Sequence, residues 1–129
     1  MSSRIPTAAN RVPHWCWLLS LLLLNGYIVL RLFDVEFHDH MGSIEGAFIA
    51  MAGYFRDFGY TEWWPWWYGG FPTPMVYPPG LHGSVAILSK LSGWSVALSY
   101  HRLTALTYCL GAVTFYVLLF VLVHSKVAA

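Results

Sequence analysis

The sequence predicts an all-α membrane protein that crosses the bilayer about three times and carries one long external loop with an interfacial helix in it. Three observations point there. The 129 residues are 57% hydrophobic, 18% aromatic and only 10% charged, against about 25% charged in soluble folds, so a globular chain of this size would leave a large apolar surface in water. The apolar residues are gathered into long runs without a charge. The charges are segregated: Asp34, Glu36, Asp39, Glu45, Asp57 and Glu62 all fall between positions 34 and 62, where Arg56 is the only base. A formal net charge of +1 without a basic patch excludes a polybasic nucleic-acid binder. The whole chain, 1–129, reads as a single membrane domain.

The first span is expected at about 13–33. Residues 12–30 hold no charge and are dominated by leucine, enough at ~1.5 Å per residue to cross a core of ~30 Å. Arg4 and Arg11 could open a signal peptide, but no small-x-small cleavage site follows, which favours an uncleaved anchor. A second span is expected at 80–98, interrupted by Lys90 and Gly93, so that it relies on snorkelling of the lysine and on Trp94 at the interface. The third, at 101–123, is apolar on every side. Cys16 and Cys109 lie inside such runs and act as small hydrophobes.

Basic residues near the span ends set the expected orientation. Arg4, Arg11, Lys90 and Arg102 belong on the cytoplasmic side of the inner membrane. The N-terminus is then cytoplasmic and the loop 34–79 external.

Inside that loop, Ile44, Phe48, Met51, Phe55 and Phe58 recur at helical spacing and predict a helix over 43–58, with Ser43 a candidate N-cap. It either lies on the membrane surface or packs its stripe on the spans. Residues 59–80 change character: Tyr60, Trp63, Trp64, Trp66, Trp67, Tyr68 and Phe71 alternate with prolines and glycines, predicting a rigid irregular loop with Pro79 as the first residue of the next helix. Such aromatics serve either as a membrane-interface belt or as a docking surface for a sugar ring or a lipid-linked head group.

The order of these features, with His38-Asp39-His40, the series from Tyr60 to Pro72 and Val76-Tyr77-Pro78-Pro79-Gly80 after one span, resembles the amino-terminal part of the glycosyltransferase-C superfamily. Among its members are proteins described as 6-pyruvoyl-tetrahydropterin-synthase-related membrane proteins. The similarity covers about 15–125. It implies a multi-pass enzyme that takes its sugar from a polyprenyl-phosphate-linked donor, with Asp39 at the position of the loop aspartate of the active site. Trp64, Pro65, Gly70, Pro72, Tyr77, Pro78 and Pro79 match the Trp-x-Pro, Gly-x-Pro and Tyr-Pro-Pro series. The oligosaccharyltransferase branch has Asp-x-Asp where this chain has His38-Asp39-His40, so metal dependence does not carry across. Family members have eight or more spans, so the chain is expected to be an N-terminal portion, with a second chain a candidate source of the remaining spans.

Transfer of a sugar to a hydroxyl needs a carboxylate to take the acceptor's proton and groups that hold the departing phosphate. Asp39 is the candidate catalytic base. His38, His40, Glu45, Arg56, Trp64, Trp67 and Tyr77 are candidate substrate-binding residues, the imidazoles and Arg56 for phosphate and the aromatics for the sugar or lipid. His38, Asp39, His40 and Glu45 include divalent-metal ligand types, although His-x-His on an irregular loop does not fix a tetrahedral site. His82 and His101 read as interface residues. The rival reading is a small non-catalytic membrane protein, an accessory subunit whose aromatic loop binds a lipid or a partner.

Overall fold

A computed structural model describes residues 13–36, 44–65, 69–72 and 79–123. The described residues are mostly helical: α1 (His14–Ile28), α2 (Glu45–Phe58), α3 (Pro79–Ser92) and α4 (Val96–Val123), with a 3-10 turn at Leu30–Phe33 and two short strands, β1 (Trp63–Trp64) and β2 (Phe71–Pro72). The chain divides into two compact units, one made of Met1–Leu32 with Thr104–Ala129 and the other of Phe33–Leu103.

In the first unit, α1 begins after Pro13, whose fixed φ suits a helix entrance. Its 15 residues rise ~22 Å, and the 3-10 turn adds ~8 Å. Leu19, Leu22, Leu23 and Leu24 are exposed, as are Leu110, Leu118 and Leu122 on α4. His14 Nδ1 and the Tyr116 hydroxyl share a hydrogen bond of 3.0 Å, and the Phe120 ring stands edge-on to the imidazole at 4.1 Å. Of the helices described, α4 alone is long and apolar enough to cross a membrane; its 28 residues rise ~42 Å.

The second unit is built on α2. Glu45 at its start and Arg56 in its last turn both suit the helix dipole, and Gly59, at φ 79°, ends it with its N–H on the Phe55 carbonyl at 3.0 Å. Ile44 occupies the cap position, and Ser43 lies outside the described residues. The stripe expected on this helix faces α3 at its centre: Met51 and Phe55 are buried with Ala86, and the Phe48 ring meets His82 at 5.2 Å. Ile44 and Phe58, at the ends of the stripe, are exposed. The Phe48 ring meets His82 in the first turns of the two helices and the Lys90 charge acts on Asp57 in their last turns, so α2 and α3 run parallel.

The expected continuous span over 80–98 is two helices meeting at an elbow. Gly93 at φ 73° takes the left-handed position that closes α3, bonding its N–H to the Ser89 carbonyl at 3.0 Å. Ser89 Oγ donates to the Trp94 carbonyl at 2.8 Å. Ser95 then caps α4, its Oγ accepting the Leu98 N–H at 3.2 Å. With 14 residues, α3 rises only ~21 Å.

The aromatic segment is not wholly irregular. β1 and β2 pair antiparallel with Trp63 opposite Pro72 and Trp64 opposite Phe71. Gly70, at φ 104°, lies under the Trp63 indole, where a Cβ would come within 2.5 Å of Nε1. Only glycine allows this approach.

Candidate functional site

The densest polar constellation among the described residues lies where the chain enters and leaves the segment at 37–43. His101, on α4, is 2% exposed. Its Nδ1 hydrogen-bonds the Val35 carbonyl at 2.9 Å, and its Nε2 bonds Glu45 Oε1 at the start of α2. A carbonyl only accepts, so Nδ1 is the donor to Val35, which leaves Nε2 to face the Glu45 carboxyl. One imidazole thus ties together the two flanks of the stretch that contains Asp39.

The next residue reinforces the tie. Arg102 Nε donates to the Phe33 carbonyl at 2.7 Å, Nη2 lies 3.9 Å from Asp34 Oδ1, and the guanidinium sits 4.0 Å from the centre of the Trp94 ring. Arginine suits this position because its flat, weakly hydrated head stacks on an aromatic face while its edge donates. Asp34 is itself well exposed, so its attraction to Arg102 is screened.

The sequence-based candidates separate in the structure. Glu45 is held at the clamp. Arg56 is not near it: eleven residues along α2 place it ~16 Å away, where its Nε and Nη2 donate to Asp57 at 2.8 and 3.3 Å. Those hydrogen bonds hold the Asp57 carboxyl below the ordinary aspartate range, with the charges of Arg56 and Lys90 adding to the effect. Trp64 is 2% exposed and packs with Met51, Phe55 and Ala86, with Tyr54 against it. A side chain so enclosed packs as core in this structure. His38, Asp39, His40, Trp67 and Tyr77 lie outside the described residues. Among the described residues no group of three or more His, Cys, Asp or Glu side chains could hold a metal ion.

His101 is the functional candidate that the sequence did not single out. Its partners are 66 and 56 positions away, and the only local sign was a basic pair, His101-Arg102, at the mouth of an apolar run.

Lys90 also departs from expectation. It lines one pocket with Gly59 and Tyr60 of the loop, and its charge is felt at Asp57. The expected topology put Lys90 and this loop on opposite sides of a membrane. The parallel packing of α2 and α3 brings them together.

Comparison with family models, with curated proteins and with solved structures finds no match to this chain.

Proposed function

We propose that the chain is the N-terminal portion of a multi-pass membrane glycosyltransferase that uses a polyprenyl-phosphate-linked sugar donor. The observation that carries the reading is the His101 clamp: Val35 and Glu45, which flank the Asp39 segment, are fixed by the two nitrogens of one buried ring. Anchoring both ends of a short segment limits the positions open to a carboxylate within it, as general-base chemistry requires. The resemblance at His38-Asp39-His40 and Tyr77-Pro78-Pro79 supplies the reaction class, with Asp39 taking the acceptor's proton.

In this reading α1 with its 3-10 turn is one crossing and the apolar part of α4 another. The hydrogen bond of Arg102 to Phe33 supports placing the end of the first and the start of the second at the same membrane face. The pocket shared by Tyr60 and Lys90 supports keeping α2 and α3 on one face; with Arg4 and Arg11 cytoplasmic that face is external to the inner membrane, which reverses the cytoplasmic place expected for Lys90 and Arg102. Further spans come from elsewhere, in the same polypeptide or a second chain.

Deletion of the gene is expected to remove a sugar-transfer activity from membranes supplied with labelled polyprenyl-phosphate sugars. The wild-type chain restores it, and Asp39→Asn does not. Unchanged transfer after deletion would overturn the proposal.

A further inference from the structure

The pocket between the C-terminal end of α2 and the outer side of α3 lies away from Asp39's flanks and takes no part in the chemistry proposed above. Its volume is about 260 Å³. Phe55, Tyr60, Ala86 and Ile87 give it apolar walls, Gly83 leaves part of its floor bare, and Lys90 is the one charged side chain in the lining among the described residues. That combination suits a ligand with an apolar body and one anionic end.

Three features narrow the ligand further. The surface around the mouth is apolar: Ile87 is 61% exposed and Leu91, one turn beyond it on α3, is 83% exposed. A water-soluble acid would have to approach through that surface, whereas a lipid is already there. Arg56 and Asp57 pair with each other, while Lys90 makes no ion pair at contact distance among the described residues. Finally, the slot follows one face of α3 from Gly83 through Ile87 to Lys90, so a chain lying along it ends at the ammonium group.

We propose that this pocket is an anionic-phospholipid site, in which one acyl chain enters between Phe55, Tyr60 and Ile87 and the headgroup phosphate pairs with the Lys90 ammonium. The bound lipid fastens the α2–α3 pair to the outer leaflet. The site rests on the membrane reading of the chain but not on sugar transfer.

The test uses the full chain in nanodiscs of phosphatidylcholine doped with phosphatidylglycerol bearing a photoreactive group in one acyl tail. Cross-links should map to residues 55–60 and to α3. Gly83→Leu should abolish them: a Cβ at this position meets nothing within 4 Å, so the new side chain fills the slot, and replacing a helical glycine by leucine favours the helix. Lys90→Gln should lower the labelling about fivefold, the worth of one basic side chain facing an anionic lipid surface. Circular dichroism of both variants checks that the helices are retained. Equal labelling of the same residues by a photoreactive phosphatidylcholine, or labelling that survives Gly83→Leu, overturns the assignment. A chain that fails to enter nanodiscs overturns the membrane reading as well, and a chain that enters unlabelled overturns this site alone.

Discussion

Glu45 Oε1 and His101 Nε2 are hydrogen-bonded although 56 positions separate them, and the imidazole's other nitrogen holds Val35. A half-buried carboxylate and a buried ring that satisfy each other in this way are costly to separate, because either one left alone keeps its desolvation penalty. His101→Ala is expected to destabilise the chain by about 3 kcal/mol and Glu45→Gln by about 1 kcal/mol. The double variant should fall short of their sum by at least about 1 kcal/mol. Denaturant unfolding in detergent measures all three. Strictly additive losses would show that the pair is not coupled.

Two glycines should respond in opposite directions to the same substitution. Gly70→Ala forces a left-handed residue and a methyl group against the Trp63 indole, and should cost about 2 kcal/mol. At Gly53, inside α2, a Cβ meets nothing, so Gly53→Ala should stabilise by about 0.5–1 kcal/mol through helix propensity. Thermal melts of the two variants decide this. A neutral Gly70→Ala would mean that Trp63 moves aside freely.

The Asp57 carboxyl should titrate below an ordinary aspartate, chiefly because Arg56 hydrogen-bonds its ionised form. A lowered folded-state value means that the stabilisation is complete above the ordinary aspartate range and is lost as pH falls through the lowered value. Carbon-detected NMR titration of the Asp57 carboxyl reads this directly. Arg56→Gln should return the midpoint upward, and an unchanged midpoint would remove Arg56 as the cause. The pair is exposed, so salt should weaken the effect.

Asp57 and Lys90 are expected to lie on the same side of the membrane. Cysteines placed singly at the two positions should be labelled by a membrane-impermeant maleimide from the same face, either both in intact cells or both only after opening. Labelling from opposite faces would contradict the shared pocket.

Local signals in the sequence were legible and long-range ones were not. The charge-free runs around α1 and α4 and the 4-3-4-3 stripe of α2 each report on one segment's own surroundings, and each became a helix. The break between α3 and α4 depended on Gly93 and Ser95, residues visible in the sequence whose capping roles appear only once both helix ends are defined. Trp64 was read by its neighbours in the chain as part of an exposed aromatic cluster, but its place was set by Met51 and Ala86, 13 and 22 residues away. Arg56 was assigned a distant partner when the adjacent Asp57 already satisfied it. His101 shows the limit most clearly, since nothing near it in sequence identifies Glu45 or Val35 as its partners.

Because α2 and α3 point the same way, the polypeptide has to travel back the full height of a helix before the second can start. Two neighbours of opposite polarity can be joined by a handful of residues. Here the connector must retrace ~21 Å, about seven residues of extended chain, so the 20 residues at 59–78 include a minimum that the parallel arrangement demands. Trimming that stretch below about seven residues would reverse or unseat α3 without touching any residue of the clamp, so a minimum connector length is itself part of what defines the fold.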